Sequence, residues 1–380
     1  MKSSSRRKIC VFTTVHRPYD VRVFHREART LAAQGYNVVL LVHADFQIEK
    51  KYGVTLKGVP RPGNRFFRLL SIFRFARRCL NERADVYHFH DLELLPLGVF
   101  LKWVTKKPVI YDCHENYPEA AYERAWYPDW FKPVLARFIA TMEPALAKQL
   151  DVVICVVPDQ QERFKAAGCR TLLLRNLPRL EVFNTALQKH PPKLDRIIYV
   201  GGLTIVRGAK LMVEIMKELQ AAHPSTKLLL LGPFNEPHVE KDVKKYIAEL
   251  GLEKQIEHIQ FVPHQDVAEY VVQSKIGLIP WQKNKQMLRM VFPNKVFEYM
   301  ACSVPLVASN LPSLKYILDR SGSGILVKAD DAKAHARAIA ELLDDKKKSI
   351  ELGQRGREFV MEKYNWDIEA KKLVEFYSKL

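Results

Sequence analysis

The feature that most restricts how this chain can fold is an alternation of short apolar runs with helical patterns, and the alternation starts twice. The first series of strand-like runs is Lys8–Thr13, Tyr36–Val42, Asp85–Phe89, Val109–Asp112, Val152–Val156 and Thr171–Leu174. The second is Arg196–Val200, Lys227–Leu231, Ile256–Phe261, Ile276–Ile279, Leu306–Ala308 and Gly324–Val327. Short apolar runs separated by helical segments are the pattern of a parallel sheet covered on both faces. Between the two series, Asn176–Asp195 loses the pattern and carries Pro178, Pro191 and Pro192, so it reads as an interdomain linker. Two helical stretches, Lys346–Lys363 and Asp367–Ser378, close the chain. The expected architecture is α/β, with two doubly wound, Rossmann-like domains. Such a pair places a ligand in a cleft facing the carboxyl ends of both sheets.

A length of 380 residues suits two domains better than one core, and 48% hydrophobic residues is enough to fill both. The six cysteines, Cys10, Cys79, Cys113, Cys155, Cys169 and Cys302, show no paired spacing. Neither a disulfide frame nor a zinc site is expected of them, and a reducing cytosol is their natural setting. The opening MKSSSRRK is polar and leads straight into a strand, and there is no apolar run of about 18 residues. A cytoplasmic chain without a signal peptide or membrane span is the expectation. The formal charge of +18 calls for a polyanionic partner: nucleic acid, an anionic bilayer surface or a phosphorylated substrate.

One stretch of the second series carries chemistry. In IGLIPWQKNKQMLRMVFPNKVFEYMACSVPLVAS, Ile276 to Ser309, a strand and a polar loop lead to a short helix from Pro293. Proline fits the first turn of a helix, where its missing N–H costs nothing. Val296, Phe297, Met300 and Ala301 share one face and read as core, while Asn294, Lys295 and Glu298 fall on the other. A cation beside free N–H groups makes an anion site, and a carboxylate one turn later can accept from two neighbouring hydroxyls. That set suits a diphosphate joined to a ribose. The plainer reading is a solvated Lys295–Glu298 pair of the common i,i+3 kind.

The run PNKVFEYMACSVPLVAS resembles the donor-site signature of the GT-B glycosyltransferases, in particular the retaining family-4 type. Glu298 takes the place of that motif's second glutamate, and Pro305 to Ser309 close it. Met290 stands where its first glutamate is usual, and Ser303 where a glycine is usual. The resemblance runs from the first loop to the closing YNW pattern. It implies an N-terminal acceptor-binding domain over 1–185 and a donor-binding domain over 186–365. A final helix, 366–380, would pack back on the first domain.

Other segments take their expected roles within that resemblance. VGGLTIVRGAKLM brings Gly201 and Gly202 to a strand end and Arg207 to a helix start, a second clamp for a diphosphate. An exposed arginine on a turn is the plainer reading there. Gly232, at the end of LLLLGPF, is where the nucleotide would pass, and Val262 would meet the base through its backbone. The donor set is therefore Gly202, Arg207, Gly232, Val262, Asn294, Lys295 and Glu298. In the first half, VIYDCHENYPE ends a strand with His114, which would polarise the sugar and joins Arg207 and Lys295 as a catalytic candidate. No second metal ligand stands at helical or loop spacing from it, and no Asp-x-Asp occurs, so a metal-free reaction without cofactor is expected. The first loop resembles an H-x-x-x-D-x-R-x-F variant and puts His16, Arg17 and Arg22 on the acceptor side, suggesting an anionic acceptor.

RFFRLLSIFRFARRCL, Arg65 to Leu80, sets Phe66, Leu69, Leu70, Phe73 and Ala76 along a stripe among Arg65, Arg68, Arg74, Arg77 and Arg78. Trp126, Tyr127, Trp130 and Phe131 follow further along. Such features suit the surface of an anionic bilayer; a core-facing helix with solvated arginines is the alternative. The resemblance implies transfer of a sugar from a UDP- or GDP-linked donor to a lipid-linked or polysaccharide acceptor at the cytoplasmic membrane face. A nucleotide-sugar epimerase of the same fold is the other enzymic reading. A nucleic-acid-binding protein would need aromatics interleaved with lysines on a sheet, or a recognition helix, and the sequence has neither.

Overall fold

The computed structural model describes residues 7–61, 63, 65–123, 127–189, 191–284, 287–288 and 293–380, apart from the side chains of 65–70, 123 and 264. Two compact units result: Met1–Asn176 with Glu369–Leu380, and Leu177–Ile368.

In the first unit the apolar runs become β1 (Lys8–Phe12), β2 (Asn37–His43), β5 (Val86–Phe89), β6 (Val109–Cys113), β7 (Val152–Cys155) and β8 (Thr171–Leu173). With β3 (Ile48–Lys51) and β4 (Val54–Val59) added, the sheet order is β3-β4-β2-β1-β5-β6-β7-β8, with Ile9 paired to both Val38 and Val86. The order reverses between β1 and β5, the position at which such sheets open a crevice. Two strands were not expected from sequence: β3 (Ile48–Lys51) and β4 (Val54–Val59) form an antiparallel hairpin on the edge. Its turn is Tyr52-Gly53, both in the left-handed region at φ 50° and 78°. The lysines and glutamate of β3 hide it from a search for apolar runs, yet charge is what an exposed edge carries.

Asp20 caps the helix that follows β1, accepting from the backbone N–H groups of Arg22 and Val23. Over Val21–Ala28 this helix is wound in wide π-type turns before tightening over Arg29–Ala33. The wider winding lets residues five apart meet, and the Arg22 and Glu27 side chains do so at 3.0 Å. In the helix Arg65–Glu82, Phe75 and Cys79 are buried, while Phe73 is 76% exposed. Phe73 therefore points outward, off the core, while Ala76 of the same stripe packs beside Phe75 and Cys79. The other apolar members Phe66, Leu69 and Leu70 have side chains outside the described residues.

The second unit has six parallel strands, β9 (Arg196–Val200), β10 (Lys227–Leu231), β11 (Ile256–Ile259), β12 (Ile276–Ile279), β13 (Leu306–Ser309) and β14 (Gly324–Val327). Their order, β11-β10-β9-β12-β13-β14, reverses between β9 and β12. The segment read as a linker is partly helical. Leu180–Gln188 is a helix whose Leu180, Phe183 and Ala186 enter the core, and Pro178 accepts from the Trp366 backbone N–H. Prolines at its two ends obscured nine helical residues between them. The last residues, from Glu369, belong to the first unit, where the Glu369 carboxylate holds the backbone N–H and guanidinium of Arg175.

Candidate functional site

In the second unit Gly202, Arg207, Gly232 and Lys295 gather with Gly201 at the reversal point of the sheet. β9 ends at Val200, and Gly201 follows at φ 117°; β10 ends at Leu231, and Gly232 follows at φ 145°. The two glycines pass so closely that a Cβ on Gly232 would stand 2.4 Å from the Gly201 carbonyl oxygen. Only glycine fits such a crossing. Gly202 faces the Asn235 amide and the Arg207 guanidinium, 2.8 and 3.1 Å from where its Cβ would be. Arg207 sits on the turn before the helix Ala209–Leu219, whose cap residue Gly208 is left-handed at φ 85°.

The helix Asn294–Ala301 supplies Lys295 and Glu298. Val296, Phe297, Met300 and Ala301 are fully buried, as their spacing predicts. The opposite face is not a solvated one. Glu298 is buried, and the Lys295 amine is enclosed without a hydrogen-bond partner. It lies 3.8 Å from the centre of the Tyr199 ring, 5.7 Å from that of Trp281, and against Gly201. Burial first, and the charge of Arg207 second, hold this amine well below the usual lysine range, with Glu298 opposing them. A surface Lys–Glu pair is excluded by that geometry.

Tyr199, Asn235 and Trp281 are additions that the sequence did not single out. The first two end or follow strands of this site, and Trp281 stands two residues beyond β12. Val262 is partly buried in the loop after β11, and Asn294 opens the helix. Met290, at the place of the missing glutamate, lies outside the described residues. A larger hollow of about 1030 Å³ in this unit is lined by Glu214, Asn310, Lys328 and Asp331 among others, and by none of these residues.

The first unit has its own pocket, about 280 Å³, lined by His16, Asp91, Glu93, His114, Glu115 and Tyr117 among others. Asp91 follows β5, and one of its oxygens accepts from the Thr13 hydroxyl and the Thr14 N–H after β1, tying the two loops together. His16 and His114 meet Nε2 to Nε2 at 2.9 Å. Each Nδ1 has a carboxylate 3.3 Å away, Asp20 for His16 and Asp112 for His114. Burial works against a charge on His16, but the Asp20 carboxylate outweighs it and raises its pKa. Two imidazoles in contact, each backed by a carboxylate, can pass a proton between them. The partner of His114 is thus an imidazole 98 residues away, beyond the reach of any spacing rule.

Two expectations for the first loop are corrected. Arg17 is exposed, but Arg22 is in the core, its Nε and Nη2 on the two oxygens of Asp112 at 3.0 and 2.6 Å. An arginine locked in that way is not available to a substrate. The pocket itself is lined by carboxylates and imidazoles rather than by arginines, which disfavours an anionic occupant.

Comparison with known proteins decides the family. Residues 21–178 match the glycosyl transferase 4-like domain, and residues 184–359 match glycosyl transferases group 1. The chain belongs to the GT-B glycosyltransferases. Among solved structures, this glycosyltransferase is similar to a sucrose-phosphate synthase from Thermosynechococcus elongatus, with a TM-score of 0.76 and 20% identity. The match covers 98% of this chain and 99% of that one. It is similar also to Anabaena HepE, solved in complex with UDP and glucose, with a TM-score of 0.72 and 15% identity over 99% and 100% of the chains. Among curated relatives, spore coat protein SA of Bacillus subtilis is 22% identical over 52% of each chain. The chain spans about half the length of the curated relatives it matches.

Proposed function

We propose that this glycosyltransferase moves a sugar, with retention, from a nucleoside-diphosphate donor of the UDP or GDP type to a hydroxyl-rich, lipid-linked or polysaccharide acceptor. The observation that carries the donor half is the enclosed, unpartnered Lys295 amine beside Arg207 and the glycines. A buried cation donor without an acceptor is costly, and a diphosphate is the anion that fits a lysine, an arginine and close backbone together. Lys295 and Arg207 take up the charge that grows on the leaving diphosphate, the main electrostatic task of the step. Glu298 holds the ribose hydroxyls. Asn294 and Gly232 line the donor, and Val262 meets the base. HepE was solved with UDP, which favours uridine among the bases.

The pocket of His16 and His114 is the acceptor's side, where carboxylates and imidazoles accept and donate to sugar hydroxyls. His114 is placed to polarise a hydroxyl, with His16 as its proton partner. Direct tests are a thermal-shift screen against UDP, GDP, ADP and their sugars, followed by nucleotide release with each stabilising donor. Glu298→Gln should weaken nucleotide binding about tenfold or more, since a charge-assisted hydrogen bond is worth about 1.5–3 kcal/mol. Equal binding by wild type and Glu298→Gln, measured calorimetrically, removes the ribose role.

The surface of the first unit supports an acceptor at an anionic membrane face. Leu95–Thr105 packs beside both Arg65–Glu82 and Phe131–Ala147. These helices expose Phe73, Phe100, Trp103, Val104, Val134 and Phe138, with Trp130 beside the last of them. Arg74 and Arg77 are exposed on the first helix. Apolar side chains set among cations match an anionic bilayer surface. Among the described residues no helix is long and apolar enough to cross a membrane.

A further inference from the structure

Behind the His16–His114 pair, in the interior of the first unit, lies a second cluster, of which only Asp112 serves that pair. Glu27 comes from the π-wound helix, His88 from β5, His90 from the residue after it, and Asp112 from β6. All four are fully buried, and one donor atom from each lies within 4.8 Å of the others. Asp112 is occupied by Arg22, which also meets one oxygen of Glu27 at 3.0 Å. The other oxygen of Glu27, Oε2, faces the Nε2 atoms of His88 and His90 at 3.7 and 3.6 Å. None of these three atoms has a hydrogen-bond partner. Three unpaired, enclosed polar atoms, with the carboxylate oxygen facing both imidazole nitrogens, require something there.

The spacing discriminates among occupants. Direct hydrogen bonds would draw the atoms to about 3 Å. A water bonded tetrahedrally to each would hold them about 4.5 Å apart. A transition-metal ion about 2.0–2.2 Å from each donor sets them about 3.3–3.6 Å apart. We propose that Glu27, His88 and His90 bind a divalent ion of the zinc type, with Asp112 beside it, as a structural site of the first unit. Two imidazoles and one carboxylate are a donor set suited to such ions.

The surroundings are those of a ligand set. The other ring nitrogen of His88 is 2.8 Å from the Tyr377 hydroxyl, which fixes the ring with Nε2 inward. Arg22 and Asp112 offset one another, leaving the Glu27 carboxylate as the charge that faces the ion. His90 lies beside His16 and His114, its ring edge-on to the first and tilted to the second, with ring centres 6.3 and 5.9 Å away. Sequence spacing shows only the His88-x-His90 pair at β5; Glu27 comes from a separate helix 61 residues earlier.

The test uses the full chain, free of any affinity tag, purified without chelator and assayed for metals by mass spectrometry. One zinc-type ion per chain, retained through dialysis, is expected. Its removal by a strong chelator should lower Tm, and zinc should restore it. Cobalt(II) added to the stripped protein should give the visible absorption of an ion bound by imidazole nitrogen. Glu27→Gln and His90→Asn should lose the ion, whereas His223→Asn should keep it. Stripped wild-type protein that takes up neither zinc nor cobalt, with an unchanged Tm, overturns the proposal. Wild-type measurements decide the matter even where a variant fails to fold, and none of them depends on the donor or the acceptor.

Discussion

Single side chains of this protein are held in ionisation states that their ligands should change. Lys295 is the clearest: enclosure and Arg207 depress its pKa, and a bound diphosphate would restore its charge. Donor binding should therefore take up a proton at pH values above the free pKa of Lys295, and affinity should fall as the pH rises through that range. Calorimetry of UDP binding in buffers of different ionisation enthalpy measures the uptake, and Lys295→Met should abolish it. The His16–Asp20 pair has the opposite character. His16 is raised, so its contribution to stability is complete below the ordinary histidine value of about 6.5 and is lost as the pH rises through its folded value. Asp20 is depressed, first opposed by burial but carried down by His16 and the capped N–H groups. Its contribution is present above about 3.9 and is lost as the pH falls through its folded value. The difference in Tm between wild type and Asp20→Asn should thus be largest between about pH 4 and 6.5 and shrink on either side. A difference independent of pH would mean that the pair carries no charge.

Elements are positioned by a few contacts whose removal should be selective. Gly232 ends β10 against the Gly201 carbonyl, in a backbone conformation that other residues rarely adopt. Gly232→Ala should displace the strand-end loops, with nucleotide affinity lost and Tm lowered. Gly251→Ala also faces a left-handed φ, of 66°, but meets no neighbour, so it should leave nucleotide affinity unchanged. The helix Arg65–Glu82 offers a second contrast. Phe75→Ala opens a cavity in the core and should cost about 3–5 kcal/mol in urea unfolding. Phe73→Ser removes an outward ring and should stay within about 0.5 kcal/mol of wild type.

At the scale of the whole molecule, the net charge of +18 and the exposed apolar helices make one prediction together. Binding to anionic vesicles should fall steeply with added salt, because each arginine near the surface contributes about 1 kcal/mol and the Debye length is about 8 Å in physiological salt. Changing Arg74, Arg77 and Arg78 to glutamate should release the protein from floating vesicles while leaving nucleotide affinity in the second unit intact. Unchanged flotation would mean that the arginines are ordinary solvated charges.

How much of this was legible beforehand depends on the range of the interaction involved. Alternating apolar and helical runs specified two parallel-sheet units, because burying strands on both faces is a local demand on composition. The glycines of VGGLTIVRG and the helix of PNKVFEYMA announced a diphosphate-sized anion site, because backbone approach and helix ends leave short-range marks. The edge hairpin stayed hidden behind its charges, and the helix Leu180–Gln188 behind flanking prolines. Tertiary structure alone set Tyr199 and Trp281 beneath Lys295, turned Arg22 inward to Asp112, joined His16 to His114, and gathered Glu27, His88, His90 and Asp112. Those groupings depend on strand order and on the winding of one helix. No periodicity within a strand or helix encodes which distant residue will stand opposite.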